Sequence, residues 1–386
     1  MSASSIDPVK LTQSLISCPS VTPTDAGVLQ TLQDQLEEIG FRCTRMPFEE
    51  TGTEAVDNLF ASYGEGAPHL CFGGHTDVVP VGNSASWTND PFDAVIKDGN
   101  LYGRGTADMK SAIAAFTAAA SNFIKTGDFK GTISLLITND EEGPAINGTQ
   151  KVLEAITKNG EKIDSCIVGE PTCPAQLGEM IKIGRRGSLT TNISIIGIQG
   201  HVAYPQWTLN PIDALTKVLS KIVDLKLDEG TEDFPPTNIE IVKIDADNTA
   251  DNVVPHSATA QINIRYNILQ TEDGLMKLLQ EITDQELLNT EYKSTIEFRN
   301  SAQPFLTKES DFTKKIKEAV DAVTGLNSEF STTGGTSDAR FFKDYCEVAE
   351  FGLVGSTAHQ VDEHVAVKDI ENLAKIYEEI IKKYFN

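Results

Sequence analysis

Four apolar segments of this chain each lead into residues that commonly bind metal ions, and this arrangement constrains the fold more than any other feature. The segments lie at positions 69–72, 132–138, 166–168 and 348–354. Short apolar runs that are closed by Gly, Pro, Asn or Asp are typical of buried strands. In open α/β sheets the functional crevice lies outside the carboxyl ends of such strands. We therefore expect a sheet that brings several metal-binding side chains to one edge.

The residues at the ends of these segments are histidines and carboxylates. Together with an aspartate just before a predicted helix at 112–123, they are His75, Asp77, Asp108, Glu141, Glu142, Glu170 and His359. Taken alone, a histidine at a strand end is typical of a structural residue, and a Glu-Glu pair is typical of a solvated loop. Repetition at the same topological position, beside glycines that allow backbone and ion to approach closely, favours a metal site instead.

The number of candidates is sufficient for two ions. Two ions roughly 3.5–4 Å apart need a bridging carboxylate and further ligands for each ion. The residues that provide this number are His75, Asp108, Glu142, Glu170 and His359, with Asp108 as the natural bridge. Glu141 is then left over, and a carboxylate that binds no metal beside an activated water is what a general base requires.

Asp77 has a different predicted role. It is two residues from His75, so both side chains share a face if the strand continues, and its carboxylate can accept a hydrogen bond from the imidazole. The predicted ligands are nitrogen and oxygen atoms without sulfur, which suits Zn and also Co or Mn. Spacing alone leaves open whether such a site hydrolyses an amide or a phosphate ester.

The distribution of predicted elements indicates two domains. At 386 residues the chain is long for one core. Helices and strands alternate up to about residue 179, which predicts an α/β fold with a mostly parallel sheet and helices on both faces. The following segment has the order β-α-β-β-α-β of a ferredoxin-like unit. We predict a catalytic domain formed by residues 1–186 and 301–386, with an inserted domain at 187–300.

The charge of the chain limits its partners. The formal net charge is −24, which argues against nucleic acid and against an anionic membrane surface. An anionic substrate would therefore need a local basic cluster. The first eight residues lack the basic and apolar parts of a signal peptide, so we expect a cytoplasmic protein.

Longer motifs around the candidate ligands resemble those of the di-zinc aminoacylase and aminopeptidase superfamily. The matching segments are residues 73–80, 103–110, 140–143 and 169–172. The resemblance covers nearly the whole chain. It implies one zinc ion held by His75 and Glu170, another held by Glu142 and His359, and a bridge formed by Asp108 and a water, with Glu141 as base. It also implies that the inserted domain is a lid and the surface of a homodimer.

A second set of segments resembles the succinyl-diaminopimelate desuccinylase branch of this superfamily. Residues 181–188 look like the basic run before the lid, and residues 200–205 look like a loop whose histidine, here His201, reaches the active site of the partner subunit. The substrate contacts that this resemblance implies are Lys182, Arg185, Arg186, Ser188, Tyr204, Asn252, Arg265 and Thr336. Guanidinium groups pair with carboxylates in a bidentate way, and N-succinyl-diaminopimelate carries three carboxylates.

The implied reaction converts N-succinyl-LL-2,6-diaminopimelate and water into LL-2,6-diaminopimelate and succinate, on the route to lysine and cell-wall precursors. The alternatives are an N-acetyl-amino-acid deacetylase or dipeptidase of the same fold, a two-metal phosphoesterase, and a metal-dependent binding protein without activity. An acetyl group has no distal carboxylate, so the basic run favours a succinylated substrate. Gly355 stands where the family usually has a substrate-contacting Asn, and this predicts a difference in substrate fit.

Overall fold

The computed structural model describes residues 5–127, 129–246 and 248–386, so the expectation drawn from the first residues lies partly outside the described chain. The strands are β1 (Arg42–Arg45), β2 (Leu59–Glu65), β3 (His69–His75), β4 (Val95–Lys97), β5 (Asn100–Tyr102), β6 (Gly131–Thr138), β7 (Ser165–Val168), β8 (Met180–Lys182), β9 (Gly184–Arg185), β10 (Gly187–Ile196), β11 (Gly200–His201), β12 (Asn238–Asp245), β13 (Val253–Val254), β14 (Ser257–Tyr266), β15 (Lys293–Ala302), β16 (Phe305–Leu306), β17 (Glu329–Ser331), β18 (Glu347–Glu350) and β19 (His364–Ala366). The α-helices are α1 (Pro8–Ile16), α2 (Val28–Glu38), α3 (Ser111–Ile124), α4 (Thr149–Lys158), α5 (Pro211–Val223), α6 (Glu272–Glu286), α7 (Asp311–Thr324), α8 (Ala339–Phe342) and α9 (Val367–Phe385).

The chain divides into two compact units, and the first comprises Met1–Ile183, Thr307–Ser331 and Ser337–Asn386. Its eight-stranded sheet has the order β1-β2-β6-β3-β7-β18-β8-β17. The central pairs β6/β3, β3/β7 and β7/β18 are parallel, whereas β1/β2, β2/β6 and β18/β8 are antiparallel. The sheet is thus mixed, and the prediction of a mostly parallel sheet holds for its centre. Only three residues separate β2 from β3, too few for a crossover connection, so these two strands run in opposite directions.

The central strands are covered on both faces. Every residue of β3 and β6 is buried, which explains why their sequences are continuously apolar rather than alternating. Phe72 of β3 stacks on Phe116 of α3 with ring centroids 4.5 Å apart and contacts Tyr377 of α9 edge-on at 5.6 Å. Burial of an aromatic side chain of this kind stabilises the fold by roughly 1.5–3 kcal/mol. This packing fixes the strand that ends at His75.

The helices of this first unit are core helices. Helix α3 is buried along nearly its whole length, and it packs against α9, whose buried side chains include Ile370, Leu373 and Ile380.

In the described part of the chain, none of the helices combines the length and the apolar character that crossing a bilayer requires.

The second unit comprises Gly184–Leu306 and Thr332–Thr336. Its antiparallel sheet has the order β12-β14-β10-β15, and the chain order is β10, α5, β12, β14, α6, β15. One face of β14 packs against an apolar core that lies within this unit and includes Leu189, Val218 and Leu279. The limits of this unit differ by a few residues from the predicted 187–300. The segment 332–336 belongs to it because Thr333 O accepts a hydrogen bond from Arg185 Nη1 at 3.3 Å.

Candidate metal centre

His75 is the last residue of β3, and its imidazole is held on both nitrogens. The side chain is buried, with 2% of its surface exposed. Its Nδ1 lies 2.9 Å from the backbone oxygen of Asp77, and its Nε2 lies 3.0 Å from Asp108 Oδ1 and 3.8 Å from Glu170 Oε1. The sheet edge therefore presents one histidine nitrogen to two carboxylates.

Asp77 orients its surroundings in a different way from the one predicted. Its Oδ1 is 3.6 Å from His75 Nδ1, too long for a hydrogen bond, and the backbone oxygen takes this contact instead. The Asp77 carboxylate accepts hydrogen bonds from the backbone N–H groups of Glu141 at 3.2 Å and Glu142 at 2.9 Å. The same residue thus positions His75 through its main chain and the Glu141–Glu142 segment through its side chain.

Asp108 lies between the two histidines. It belongs to a tight turn, Thr106–Lys110, that leads into α3, close to the helix start as the sequence predicts. Asp108 Oδ2 is 3.2 Å from Nε2 of His359, while Oδ1 faces His75. His359 Nε2 is also 2.7 Å from Glu142 Oε1. Asp108 is thus placed to share its two oxygens between two sites.

These side chains form two candidate metal sites with one common member. In each group the ligand atoms all lie within 4.8 Å of one another, and the groups are His75, Asp108, Glu170 and Asp108, Glu142, His359. All five residues belong to the first unit. A set of imidazole nitrogens and carboxylate oxygens fits a pair of divalent cations with one bridging carboxylate.

The electrostatics of the metal-free site reflect this crowding of opposite charges. Burial alone would lower the pKa of His75, but the hydrogen bond to Asp108, the adjacent Asp77 side chain and the nearby charges of Asp108 and Glu170 raise it well above its usual value. Hydrogen bonds to Asp108 and Glu142 raise the pKa of His359 to about 10. Burial acts to raise the pKa of Asp108, yet the two histidines lower it below its usual range. Positive charge is therefore stabilised where the cations would bind.

Glu141 lies outside both ligand groups. Burial raises its pKa to about 8, the charges of Asp338 and Glu142 act in the same direction, and those of His75 and Arg340 oppose them. Burial also raises the pKa of Glu170 well above its usual value. A carboxyl group that titrates near neutral pH is suited to general acid–base chemistry.

Sequence reasoning missed a buried ion pair beside these ligands. Arg104 Nη1 lies 2.6 Å from Glu363 Oε2, and their side chains are 3% and 0% exposed. Arg104 lies within the glycine-rich motif at 103–110, and this position could have indicated a role beside the ligands. Glu363 has no comparable local signal, because its partner is 259 positions away.

Two further side chains near these strands, those of His69 and Trp87, have structural hydrogen bonds. His69 Nε2 lies 2.8 Å from Ser134 Oγ, and His69 Nδ1 lies 3.0 Å from Lys162 O. Trp87 is buried, and its Nε1 donates to Val81 O at 3.0 Å. We assign neither to the chemistry of the site.

The predicted substrate contacts fall into separate clusters. Lys182 is in the first unit, on β8, and donates to Ser331 Oγ at 3.2 Å. The others are in the second unit, where Arg185 contacts the segment that contains Thr336. Arg186 donates to Asn238 Oδ1 at 2.8 Å, and burial together with the charge of Arg265 lowers its pKa.

Within the second unit, Ser188 and Arg265 are direct partners across β10 and β14. Arg186 and Arg265 are therefore two neighbouring guanidinium groups whose mutual repulsion an anion would relieve.

His201, Tyr204 and Asn252 form a third, exposed cluster. The rings of His201 and Tyr204 are 5.7 Å apart, and Val202 N donates to Asn252 O at 3.1 Å. Ala203 N donates to His201 Nδ1 at 3.1 Å, so the neutral imidazole carries its proton on Nε2. His201 is thus a hydrogen-bond donor at its outer nitrogen.

Comparison with known proteins places the chain among peptidase-like hydrolases. The sequence profile described as peptidase family M20/M25/M40 matches residues 71–383. A relative from Rhodospirillum centenum, named succinyl-diaminopimelate desuccinylase, is 50% identical over 380 residues, which is 98% of this chain and 97% of the relative. A relative of the same name from Beijerinckia indica is 52% identical over 386 residues and 100% of both chains.

Solved structures share the fold at lower identity. A metallo-carboxypeptidase of the M20 family from Sulfolobus solfataricus has a TM-score of 0.80 and 20% identity, covering 98% of this chain and 99% of its own. A Bacillus subtilis protein described as a dinuclear metal-binding peptidase of the M20 family has a TM-score of 0.72 and 16% identity, covering 98% of each chain. At these identities the similarity establishes the fold alone.

Proposed function

The chain belongs to peptidase family M20/M25/M40, and from this premise we propose that it is a metal-dependent amidohydrolase that removes the succinyl group from N-succinyl-LL-2,6-diaminopimelate. This membership confirms the resemblance seen in the motifs. The products are LL-2,6-diaminopimelate and succinate, so we place the enzyme in the biosynthesis of lysine and cell-wall precursors, in the cytoplasm. The observation that carries the proposal is the pair of ligand groups that share Asp108, with Glu141 beside them.

The cofactor is a pair of zinc ions in each subunit, which cobalt or manganese can replace. His75, Asp108 and Glu170 would hold one ion, and Asp108, Glu142 and His359 would hold the other. When bound, such a pair lowers the pKa of water and polarises a carbonyl group.

Glu141 moves the proton. Its carboxylate accepts a proton from the attacking water as the new C–O bond forms at the succinyl carbonyl. When the amide C–N bond breaks, the same carboxyl group donates this proton to the leaving amine nitrogen. Burial raises the pKa of Glu141 in the metal-free site, and bound cations would lower it, so that the ionised carboxylate would be available to accept the proton.

The second unit supplies substrate recognition. Arg186 and Arg265 lie together in it, and we assign them to a carboxylate of the substrate, with Arg185, Ser188, Tyr204, Asn252 and Thr336 as further contacts. Lys182 supplies an additional ammonium group from the first unit.

The experiment that tests the substrate compares succinylated with acetylated diaminopimelate after reconstitution with zinc. Replacing Arg185 and Arg186 by Ala should lower kcat/KM for the succinylated substrate about 10-fold or more, since one charge-assisted hydrogen bond is worth roughly 1.5–3 kcal/mol. The acetylated substrate, which lacks the distal carboxylate, should lose much less. Arg42→Ala, at an exposed site on β1, is the control. Equal losses for both substrates would mean that Arg185 and Arg186 do not recognise the succinyl carboxylate, and a wild-type preference for the acetylated substrate would assign the enzyme to the deacetylases.

We further propose that the second unit is a ferredoxin-like lid and the dimerisation surface of a homodimer. The order of its elements and of its sheet supports the ferredoxin-like topology. His201 of one subunit then donates from Nε2 to the oxyanion in the site of the other, a contact commonly worth about 3–4 kcal/mol. His201→Ala should therefore lower kcat more than it raises KM.

Mixing two inactive variants tests this arrangement directly. His201→Ala combined with Glu141→Gln by co-refolding should restore about a quarter of the wild-type activity, because half of the dimers are mixed and each has one complete site. If His201 acts within its own chain, the mixture stays inactive. A matched mixture of Glu141→Gln and Glu142→Gln, both at the same centre, should stay inactive in either case.

A further inference from the structure

The buried ion pair of Arg104 and Glu363 connects two loops that carry metal ligands. Both side chains are almost completely removed from solvent. A buried ion pair of this kind adds little net stability, because desolvation of the charges offsets their attraction. The contacts that the pair makes with its surroundings are therefore more informative than the pair itself.

Glu363 fixes the turn that carries Asp108. Its Oε1 accepts hydrogen bonds from three backbone N–H groups, those of Gly105 at 3.1 Å, Ala107 at 2.8 Å and Asp108 at 3.3 Å. The backbone is not helical at Asp108, whose N–H bonds to Glu363, while Lys110 N closes the turn by donating to Gly105 O at 3.0 Å. The position of the Asp108 carboxylate thus depends on Glu363.

Arg104 fixes the loop that carries His359. Its Nη2 donates to the backbone oxygen of His359 at 3.3 Å, and its Nη1 donates to that of Gln360 at 3.3 Å. His359 has a φ of +63°, a conformation that residues other than Gly seldom adopt without support from their surroundings. Trp87 covers the guanidinium group, whose carbon lies 5.3 Å from the ring centroid.

We propose that Arg104 and Glu363 are positioning residues that set the distance between Asp108 and His359 and thereby the affinity of the group Asp108, Glu142, His359 for its cation. This rests on the proposed two-metal site. The group His75, Asp108, Glu170 depends on the Arg104–Glu363 ion pair only through Asp108. Its other two members are held by the sheet, because His75 is the last residue of β3 and the end of β7 leads directly to Glu170. The pair therefore acts unequally on the two metal sites.

The test is a metal titration of the double variant Arg104→Met with Glu363→Gln. This variant removes both charges together and preserves side-chain volume, so no single charge is left buried. Metal-free protein is titrated with Co²⁺ in a calorimeter. One of the two binding constants should fall about 10–100-fold, the usual effect of removing a group that orients a ligand, and the other should change much less.

The control is a second double variant, Arg45→Met with Asp57→Asn. This ion pair has a distance of 2.5 Å and contacts none of the ligand loops, so both binding constants should match the wild type. Circular dichroism of each metal-free variant checks its fold. If the first double variant is unfolded, the single change Arg104→Lys replaces it, because Lys keeps the positive charge beside Glu363 and loses the guanidinium donors to His359 O and Gln360 O, and the same unequal loss is expected.

Equal weakening of both constants, or no change in either, overturns the proposal. Failure of the proposed function has a separate signature. A wild-type protein that binds two Co²⁺ ions and does not hydrolyse the succinylated substrate contradicts the function, while the unequal effect of Arg104 and Glu363 on the two constants is still measured.

Discussion

At the scale of single residues, two adjacent glutamates differ in what surrounds them. Glu142 Oε1 is 2.7 Å from His359 Nε2 and belongs to a ligand group. Glu141 belongs to neither group, and burial raises its pKa to about 8. Both backbone N–H groups are held by the same Asp77 carboxylate, so the difference arises from the direction of the two side chains. This geometry would separate metal binding from the proton transfer that we propose for Glu141.

Glu141→Gln tests that separation. The amide cannot accept a proton from water, so we expect kcat to fall about 10²–10⁴-fold, the usual contribution of a general base. The metal content, measured by atomic absorption, should remain at the wild-type value. Glu142→Gln is the matched control and should lose metal. Wild-type turnover by the Glu141→Gln variant would remove Glu141 from the mechanism.

The histidine at the same site gives a pH prediction for the metal-free protein. The pKa of His359 is raised from 6.5 to about 10 in the folded state, so its contribution to stability is complete below about 6.5 and is lost as the pH rises through about 10. We expect the melting temperature in the presence of a chelator to fall over this range. His359→Asn should flatten that part of the curve. An unchanged slope in the variant would mean that other groups dominate.

At the scale of elements, the register of the parallel strands brings the ligands to one edge. His75 of β3 is the partner of Thr138 of β6, and Gly73 is the partner of Val168 of β7. Glu141 and Glu170 therefore follow their strands at nearly the same level as His75. Gly352, two residues after β18, packs against the segment that carries Glu170, and a Cβ there would meet the carbonyl oxygens of Gly169 and Glu170.

Gly352→Ala should displace the segment that carries Glu170. Backbone atoms cannot move aside as a flexible side chain does, so we expect a loss of about 1–3 kcal/mol in the free energy of unfolding. The affinity for one of the two metal ions should fall as well. Gly355→Ala is the control, because its nearest neighbour is the Pro171 side chain at 3.2 Å. Equal stability of both variants by chemical denaturation would contradict the expected clash.

At the scale of the whole molecule, the metal ligands and the apolar core of the second unit belong to different parts of the chain. All the residues of the two metal groups are in the first unit, whereas the second unit has its own sheet and its own apolar core. Binding of an ion to the native state stabilises only the part of the chain that must be folded to bind it.

Metal binding should therefore shift one part of the thermal unfolding profile. At a free zinc concentration about 100 times the Kd, the gain is about 2.7 kcal/mol for one site. We expect two transitions in differential scanning calorimetry, of which addition of EDTA lowers only one. A single transition that moves as a whole would mean that the two units unfold cooperatively.

Some of the fold could be predicted because its signals are local. The apolar runs at 132–138 and 166–168 correspond to β6 and β7 within one residue, and the predicted helix at 112–123 corresponds to α3. The motifs around His75, Asp108 and Glu141 are recognisable from the sequence alone. Glycines, prolines and carboxylates at the ends of apolar runs are sufficient for this, because strands and turns depend on near neighbours.

The tertiary structure alone decided the rest. The direction of β2 relative to β6, the role of the Asp77 carboxylate and the pairing of Arg104 with Glu363 all depend on contacts between residues far apart in the chain. Periodicity reports whether a residue is buried, but it does not report which distant group a buried charge meets. The sequence determined which side chains can bind metal and transfer a proton. Only the packed fold decided which backbone groups hold them in place, because a hydrogen bond across 259 positions leaves no local pattern.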